Sequence, residues 1–382
     1  MPPDHPQDPT DLDAHWMRLA LAEAARGRGA VEPNPMVGAV VVRDGRIVGL
    51  GRHARFGGPH AEVLALAEAG QAARGATLYV TLEPCCHHGK TPPCADLVIE
   101  SGVVRVVAAL RDPFPKVDGG GLARLQASGI ALTVGVEEAA ARRLNAPYLK
   151  RLATGRPFVT AKWAMTLDGK MATAQGDGFW VSSPRSRSLV HELRGRMDAI
   201  LVGIGTVLAD DPRLNARPAG PRVAARIVLD SQARLPLASR LVATAGDAPV
   251  WVAVTDRAPV ARRVALIDRG CALLEFPGSG SVPIGPLLDD LGRQGVTNLM
   301  VEGGGRILGA FFDEDQIDEV DVFLAPKIEG GPAVHAPCLG RGVDRMANAA
   351  RLEETVVSEV DGDVRLQGRF PRPWTSHRTD TA

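Results

Sequence analysis

His60-Ala61-Glu62, Pro84-Cys85 and Pro93-Cys94, with eight residues between the two cysteines, form the pattern that organises the first part of the chain. One imidazole and two thiolates are typical zinc ligands, and three protein ligands leave the fourth tetrahedral position open, as in catalytic sites. A proline suits the first turn of a helix, where unpaired backbone N–H groups favour a thiolate at Cys85. The pattern therefore predicts a catalytic zinc site with the ligands His60, Cys85 and Cys94.

Glu62 follows the histidine by two residues, and zinc deaminases carry at this position a Glu that is not a ligand. That Glu moves protons between the water and the leaving amine. Cys86, His87 and His88 lie between the two cysteines and are alternative ligands. We rank them lower because a strand-loop-helix path brings Cys85 and Cys94 to the metal without them. The other alternative is that His-x-Glu occurs by chance and that Cys85 and Cys94 are a buried pair. The occurrence of His-x-Glu and two Pro-Cys motifs together, in this order, disfavours it.

The length and composition of the chain limit its class. At 382 residues the chain is too long for a single domain with one hydrophobic core. A typical domain length of about 150 residues predicts two domains. Lys plus Arg (44) equals Asp plus Glu (44), so we expect no nucleic-acid partner. No apolar run of roughly 18 residues and no secretion signal is visible, so we expect no membrane partner. Five scattered cysteines form no disulfide framework and fit a reducing cytoplasm.

Alternating helical and strand patterns predict an α/β fold for the first domain, at residues 12–150 after a disordered leader at 1–11. Asp44-Gly45 is a hairpin turn signal between two strands. The expected strands are 37–42, 47–50, 76–82, 103–110 and 131–136. The expected helices begin near residues 12, 60, 94, 122 and 137, and the second of them carries His60 and Glu62 in its first turn.

A second α/β domain is expected at residues 157–371, followed by a polar tail at 372–382. Its strands include 159–165, 199–202, 226–230 and 298–301, and helices are expected at 184–194, 284–294 and from about 307. Glycine-rich turns at Gly203-x-Gly205 and Gly303-Gly304-Gly305 suit a phosphate at a helix start. Neither matches G-x-G-x-x-G, because Leu208 and Leu308 occupy the last glycine position. On spacing alone, a phosphate site and a simple tight turn explain them equally well.

Six motifs together resemble the bifunctional deaminase/reductase family of riboflavin biosynthesis. They are His60 to Glu62, Leu82 to Cys94, Pro33-Asn34-Pro35-x-Val37-Gly38, Thr166 to Lys170, Thr206 to Pro212 and Val301 to Gly304. The likeness spans roughly residues 12–370 in one order. The eight-residue gap between the cysteines is discriminating, because cytidine and tRNA-adenosine deaminases usually have about two residues there.

The resemblance implies a cytidine-deaminase-like three-layer α/β/α domain followed by a dihydrofolate-reductase-like α/β domain. It implies zinc-dependent hydrolytic deamination of a small molecule, 2,5-diamino-6-(5-phosphoribosylamino)pyrimidin-4-one, with release of ammonia. The second domain would then use NADPH to reduce the ribosyl side chain to ribityl. We therefore expect Zn²⁺ and NADPH as cofactors, a pyrimidine ribosylamine phosphate as partner, and a homo-oligomer.

Residue roles carry over from the family where its motifs match, and they make Glu62 the catalytic residue. NADPH contacts are implied at Ala164, Trp180, Thr206, Asp210, Ser231, Gly304, Gly305, Arg306, Ile307, Leu308, Gly309 and Ala310. Substrate contacts are implied at Lys162, Arg194, Leu214, Arg217 and Glu302. Two arginines suit a sugar phosphate, because each guanidinium offers a fork of donors. Solvated surface charge is the alternative for the arginines, and an interior salt bridge is the alternative for Lys162.

The chain departs from the family pattern at three positions. Phe114 stands where the family usually has Asn, and Gly178 replaces a serine that usually meets the substrate. We leave both out of the predicted site. Cys86 replaces a common Ser and introduces an oxidisable thiol beside the metal.

Two other functions compete with this hypothesis. A nucleoside or nucleic-acid deaminase with a non-catalytic second domain predicts a basic groove and a short cysteine gap, and the sequence has neither. A non-enzymatic module with a structural zinc needs a fourth protein ligand, such as His87 or His88, and gives no reason for Glu62.

Overall fold

The computed structural model of the chain describes residues 9–87, 92–173, 178, 181–332, 335–372 and 374. The chain divides into two compact units, Met1–Thr154 and Gly155–Ala382. The dividing point lies within the connection expected between the two domains. None of the helices in these described ranges is long and apolar enough to cross a membrane.

A mixed five-stranded sheet forms the centre of the first unit. Its strands are β1 (Gly38–Arg43), β2 (Arg46–Arg52), β3 (Thr77–Val80), β4 (Arg105–Ala108) and β5 (Ala131–Val134). They lie in the order β2-β1-β3-β4-β5, with β1 antiparallel to both neighbours and β3, β4 and β5 parallel. The helices are α1 (Pro9–Ala25), α2 (Ala61–Ala69), α3 (Cys94–Ser101), α4 (Gly120–Ala127), α5 (Glu138–Leu144) and α6 (Ala146–Thr154).

Helices cover both faces of this sheet, which gives three layers. Ala39 and Val41 of β1 face a core shared with α2, α3 and α4. Val40 and Val42 face the opposite core, shared with α1, α5 and α6. Burial on both faces explains why β1 is an unbroken apolar run and does not alternate with polar residues.

Two glycines of β2 let α2 pack unusually close to the sheet. A Cβ at Gly51 would lie 2.2 Å from the Ala61 carbonyl oxygen, and one at Gly49 would lie 2.0 Å from the Ala65 carbonyl oxygen. Because a real Cβ cannot approach a backbone oxygen so closely, both positions require glycine. This contact fixes the start of α2, where His60 and Glu62 lie.

A nine-stranded sheet forms the second unit. Its strands are β6 (Phe158–Thr166), β7 (Ala199–Gly203), β8 (Ala225–Leu229), β9 (Val250–Thr255), β10 (Ala272–Phe276), β11 (Asn298–Gly303), β12 (Glu319–Ala325), β13 (Glu353–Val360) and β14 (Asp363–Arg369). The order is β10-β9-β8-β7-β11-β6-β12-β14-β13, and all neighbours are parallel except the pairs β12-β14 and β14-β13. The helices are α7 (Pro184–Arg194), α8 (Ile204–Asp210), α9 (Arg240–Ala243), α10 (Val260–Asp268), α11 (Ile284–Arg293) and α12 (Gly305–Asp313).

The connections bring the expected reductase residues to one edge of this sheet. Helices α11 and α12 pack on one face, and α8, α9 and α10 pack on the other. Strands β6, β7, β8 and β11 are parallel, so their carboxyl ends meet at the same edge. Ligands of open α/β sheets bind outside the carboxyl ends of the strands, where the strand order reverses. Here β11 returns between β6 and β7, which places that point at the ends of these three strands.

The structure differs from the sequence-based expectation at both ends of the chain. Helix α1 begins at Pro9, inside the expected leader, because proline is tolerated in the first turn of a helix. Arg372, which we expected in a polar tail, has a side chain only 7% exposed and paired with Asp315 and Asp318. The polarity of arginine suggested solvent, but carboxylates of the second unit bind it. The hairpin of β13 and β14 was not predicted at all.

Candidate active sites

Three elements of the first unit bring the predicted zinc ligands together. His60 caps the start of α2, Cys85 lies in the loop after β3, and Cys94 is the first residue of α3. The Nδ1 atom of His60 lies 3.2 Å from the Cys94 Sγ and 3.6 Å from the Cys85 Sγ. Ligands of a tetrahedral zinc ion at normal bond lengths lie about 3.6 Å apart from nitrogen to sulfur. The three donor atoms, all within 4.8 Å of one another, therefore fit this metal.

The surroundings of Cys85 favour its thiolate. Its Sγ accepts a hydrogen bond from the Cys94 backbone N–H at 3.3 Å. Hydrogen bonds from the Cys94 thiol and from His60 lower the pKa of Cys85 well below its usual range, despite partial burial. The same contact with Cys85, together with burial, raises the pKa of the Cys94 thiol. A cation bound here would displace the Cys94 proton, since metal ligands must be deprotonated.

Glu62 lies in the first turn of α2 and is 3% exposed. Burial raises the pKa of this carboxyl to about 7, and nearby His60 partly opposes the rise. The Glu62 side chain also interacts with the Cys94 thiol. The structure thus brings Glu62 beside the three donor atoms as a buried carboxyl that is not one of them.

The other residues of the cysteine loop point elsewhere. The Sγ of Cys86 lies 3.6 Å from the Lys116 carbonyl oxygen, and the ring of His87 packs 5.9 Å from the ring of Phe114. His88 lies outside the described residues. Within the described ranges, no fourth His, Cys or carboxylate atom joins the cluster. The described residues thus supply three ligands to this cluster, where a structural zinc site needs four.

A second histidine behind the site was missed by the sequence reasoning. Buried His53 lies at the end of β2, and its Nδ1 donates to the Pro59 carbonyl at 3.0 Å. Its Nε2 then accepts from the Asn34 side-chain amide at 3.2 Å. The rings of His53 and His60 meet edge to face with centroids 5.6 Å apart. The nearest sequence signal is Pro33-Asn34-Pro35, which contains the Asn34 partner of His53 but does not point to His53 itself.

Glu83 was also missed, although it directly precedes Pro84-Cys85. Its buried carboxylate accepts four backbone N–H bonds at 2.9 to 3.2 Å, from Asp112, Gly119, Gly121 and Leu122. The residue therefore ties the start of α4 and the loop before it to the metal-binding segment. Sequence cannot show this role, because all four donors belong to the backbone.

The second unit brings three of the predicted substrate residues into one buried cluster. Arg194, the last residue of α7, donates to Glu302 of β11 from Nε at 2.5 Å and from Nη2 at 2.7 Å. The Nζ of Lys162, on β6, lies 3.8 Å from the Glu302 carboxylate. Burial alone would raise the pKa of Glu302, but Arg194 and Lys162 lower it to about 2. Two cations and one carboxylate leave the cluster one positive charge in excess.

Arg217 and Leu214 lie in the loop after α8, and the structure gives them different surroundings. Leu214 has a positive φ of 53°, and its side chain is 3% exposed, so substrate can reach only its backbone. Arg217 is exposed, and its nearest partners are His191 and Asn215. Burial and the nearby cations Arg194, Arg240 and Arg213 lower the pKa of Arg217. Their mutual repulsion favours an anion at this place.

The two glycine-rich turns lie against each other. Gly304 has a positive φ of 63°, and a Cβ there would lie 3.4 Å from the Thr206 Oγ1. A Cβ at Gly203 would lie 2.7 Å from the side chain of Ile307. The starts of α8 and α12 therefore form one continuous surface at the ends of β7 and β11, which suits the backbone-lined cofactor site that was predicted.

The protein itself covers three of the predicted cofactor residues, Gly305, Leu308 and Gly309. A Cβ at Gly305 would lie 2.1 Å from the Ala336 carbonyl oxygen, and one at Gly309 would lie 2.5 Å from the Leu339 backbone. Leu308 is fully buried in the core. These residues can therefore meet a cofactor only through their backbone, and the α-carbons of Gly305 and Gly309 pack against the segment 336–340.

The remaining predicted cofactor residues have mixed positions. Ala164 lies on β6, Thr206 and Asp210 lie in α8, and Ser231 is the second residue after β8. Arg306 and Ala310 lie on α12. Trp180 lies outside the described residues. Gly178 has a structural reason for departing from serine, because a Cβ there would lie 2.6 Å from the Met171 carbonyl oxygen.

Comparison with known families assigns each unit. Residues 10–110 match the family model of the cytidine and deoxycytidylate deaminase zinc-binding region. Residues 157–366 match the family model of the RibD C-terminal domain. The fold class predicted from the sequence is thereby confirmed in both units.

Whole proteins match as well. The chain is 44% identical to riboflavin biosynthesis protein RibD of Aquifex aeolicus over 84% of this chain and 88% of that protein. It is 41% identical to the Escherichia coli protein of the same name, over 93% of this chain and 98% of that one. The solved structure of Acinetobacter baumannii RibD superposes with a TM-score of 0.84 at 36% identity, covering 95% of this chain and 100% of that chain.

A further solved structure, from Thermotoga maritima, is named a diaminohydroxyphosphoribosylaminopyrimidine deaminase/5-amino-6-(5-phosphoribosylamino)uracil reductase. It superposes with a TM-score of 0.82 at 35% identity, covering 95% of this chain and 99% of that one. These matches run through both units, so a nucleoside deaminase with a non-catalytic second domain is not favoured. The expectation of zinc and NADPH as cofactors is confirmed by the same domains. The chain belongs to the RibD family of riboflavin biosynthesis proteins, with a zinc-dependent deaminase domain followed by an NADPH-dependent reductase domain.

Proposed function

We propose that the first unit hydrolyses the ring amine of 2,5-diamino-6-(5-phosphoribosylamino)pyrimidin-4-one and that the second reduces the ribosyl group of the product to ribityl. The observation that carries the proposal is the cluster of His60, Cys85 and Cys94 with buried Glu62 beside it. A three-ligand site with a nearby carboxyl that is not a ligand suits hydrolysis. The Thermotoga maritima relative bears both activities in its name.

In the deamination step, His60, Cys85 and Cys94 would hold the metal. When bound, zinc makes a water nucleophilic at neutral pH by lowering its pKa. Water adds to the ring carbon that bears the amine, and Glu62 passes one proton of that water to the adjacent ring nitrogen and the other to the amine. The C–N bond then breaks, which leaves a ring carbonyl and ammonia. The position of Glu62 supports this role, since a buried carboxyl beside the three donor atoms that is not itself a ligand is free to accept and donate a proton.

In the reduction step, the second unit would hold NADPH and substrate in alignment, and the chemistry that NADPH would supply is a hydride for C1 of the opened sugar. We assign the substrate contacts to Lys162, Arg194, Arg217, Glu302 and the backbone of Leu214. The positive excess of the buried cluster and of the arginines around Arg217 supports a phosphorylated substrate. Arg217 is the best placed to meet the phosphate because it is exposed and has no carboxylate partner among the described residues.

For the cofactor, we assign the surface formed by the starts of α8 and α12. Ala164 lies near the carboxyl end of β6, Thr206 and Asp210 follow β7 in α8, and Ser231 follows β8. The start of α12 offers the backbone N–H groups of residues 304–306, since those of Ile307 and Leu308 already donate to the Gly304 carbonyl. Trp180 is assigned from the family pattern alone. The glycine at 304 supports this assignment, because its positive φ turns the backbone of the helix start.

We further infer a homo-oligomer in a reducing compartment such as the cytoplasm, with no nucleic-acid or membrane partner. The five cysteines are all free thiols, and the balanced charge of the chain supports a small-molecule substrate. Measurement of the mass in solution by light scattering tests the oligomer, and a monomeric mass at working concentrations contradicts it.

The experiment that tests the two-step function supplies purified protein with the diaminopyrimidinone ribosylamine phosphate. Ammonia release is followed first without nicotinamide, and absorbance of NADPH is followed after its addition. We expect ammonia first and NADPH oxidation second, in equal amounts. Ammonia without NADPH oxidation would contradict the role of the second unit, and the absence of both from protein with bound zinc would contradict the whole assignment.

A further inference from the structure

His191 lies on α7, three residues before Arg194, and has no role in the function proposed above. Its Nδ1 lies 3.0 Å from the Asn215 carbonyl oxygen. Because a carbonyl oxygen can only accept, Nδ1 carries the proton. The other ring nitrogen, Nε2, is then an acceptor, and it lies 3.1 Å from Nη2 of Arg217. Hydrogen bonding therefore fixes the tautomer and points a lone pair at Arg217.

Neutral groups hold the guanidinium of Arg217. Its Nη1 donates to the Asn215 Oδ1 at 3.3 Å, and its Nη2 donates to His191. In the described part of the chain, no carboxylate lies within ion-pair distance of it. Arg194 is the opposite case, since Glu302 neutralises it through two short bonds. Arg217 is thus oriented without losing its charge, which is the arrangement that recognition of an anion requires.

The loop that carries Arg217 has its own attachment to α7. The N–H of Arg222 donates to the Gly195 carbonyl at 3.0 Å. Gly195 and Gly220 are in backbone contact, since a Cβ at Gly220 would lie 2.4 Å from the Gly195 Cα. The bond from the His191 ring to Asn215 adds to this attachment. The bond from Nε2 to Arg217 adds less to this attachment than the backbone contacts do, because it ends on a long, exposed side chain.

We propose that His191 is a positioning residue of the reductase site, which holds the Arg217 guanidinium toward the phosphate of the substrate. The inference rests on the proposed role of Arg217 in binding that phosphate. His191 itself does not touch the substrate. Its Nδ1 anchors the ring to the loop, and its Nε2 sets the direction of the guanidinium before the substrate arrives.

Two substitutions separate the two ring nitrogens. The amide nitrogen of Asn at position 191 lies where Nδ1 lies, so His191→Asn keeps the bond to Asn215 and loses the acceptor for Arg217. The amide oxygen of Gln lies where Nε2 lies, so His191→Gln keeps the acceptor and loses the bond to Asn215. The pair therefore tests orientation of Arg217 against attachment of the loop.

The measurement is the KM and kcat of NADPH oxidation with the deaminated substrate, together with the thermal midpoint. We expect His191→Asn to raise the substrate KM about 10-fold with kcat nearly unchanged, and His191→Gln to stay within about 2-fold of the parent. If KM rises in both variants in proportion to the drop in their thermal midpoints, the inference is overturned and His191 has a structural role. An unchanged KM in His191→Asn would overturn it as well.

Arg217→Ala distinguishes this inference from the function on which it rests. If Arg217 binds the phosphate, Arg217→Ala raises the substrate KM, and adding His191→Asn to it changes KM by less than about 2-fold. If Arg217→Ala leaves KM unchanged, the proposed role of Arg217 is wrong. If Arg217→Ala raises KM and the effect of His191→Asn adds to it in full, His191 acts independently of Arg217 and only the positioning role is wrong.

Discussion

The two units of this chain encode their sites in different ways. In the first unit, the functional atoms belong to four side chains within two short motifs, and they converge because each motif lies at the start of a helix or at the end of a strand. In the second unit, Lys162, Arg194 and Glu302 come from distant parts of the chain and bind one another. A site of metal ligands is therefore visible in sequence as spacing, while a site of paired charges and backbone turns is not.

The difference also separates two arginines that looked equivalent in the sequence. Arg194 is largely buried, and its Nε and Nη2 both donate to Glu302, so its charge is already neutralised within the protein. Arg217 is exposed and bound only by neutral acceptors. Surroundings, and not residue type, decide which arginine can give its full charge to a ligand.

The largest expected effect breaks the first site alone. Glu62→Gln removes the group that moves protons and should lower the rate of ammonia release by about 10² to 10⁴-fold. Zinc content should stay at the parental value, because Glu62 is not one of the ligands, and NADPH oxidation with deaminated substrate should be unchanged. Retention of ammonia release by this variant would remove Glu62 from its assigned role.

The corresponding change in the second site should act on stability as well as activity. Glu302→Gln leaves Arg194 buried without its paired carboxylate and leaves Lys162 with only the weaker attraction of Asp321. Breaking a buried pair in this way costs about 3 to 5 kcal/mol. The matched control is Glu192→Gln, whose ion pair with Arg185 is exposed and should be worth less than about 1 kcal/mol. Equal unfolding free energies for the two variants in urea would contradict the buried cluster.

The pH dependence of stability should also distinguish the parent protein from the Glu302→Gln variant. The pKa of Glu302 is lowered from 4.5 to about 2, so the unfolded chain takes up this proton first. The stabilisation is therefore full above pH 4.5 and is lost as the pH falls toward 2, and amounts to on the order of 3 kcal/mol. Between pH 4.5 and 2, the unfolding free energy of the Glu302→Gln variant should fall less steeply with decreasing pH than that of the parent protein. Identical slopes would show that another group controls acid unfolding.

The smallest effect concerns the turn at α12. Gly305→Ala would place a Cβ 2.1 Å from the Ala336 carbonyl oxygen, and we expect a loss of about 1 to 3 kcal/mol with a raised KM for NADPH. Gly205→Ala is the matched control in the facing turn, where a Cβ meets nothing within 4 Å. The control should change stability by no more than about 1 kcal/mol. A neutral Gly305→Ala would show that the 336–340 segment moves away without cost.

Sequence reasoning predicted elements with strong local signals. Helix α7 has the predicted bounds, because Ser183 accepts from the Ser186 N–H as an N-cap and Pro184 begins the helix. Strand β13 was missed because nearly all of its residues are exposed, so no alternation of apolar and polar residues marks it. For Lys162 the sequence left a substrate contact and a salt bridge open, and the structure shows the ion pair with Glu302. The role of Glu83 was invisible because its partners are backbone groups.

The most direct test of two separate sites is removal of the metal. Zinc is stripped from the purified protein by dialysis against a chelator, its content is measured by atomic emission, and both activities are assayed on the same sample. We predict that ammonia release falls in proportion to the zinc lost and returns when zinc is restored, while NADPH oxidation with deaminated substrate keeps its parental rate. Ammonia release from zinc-free protein, or a parallel loss of both activities in protein that stays folded, would contradict the division of the chemistry between the two units.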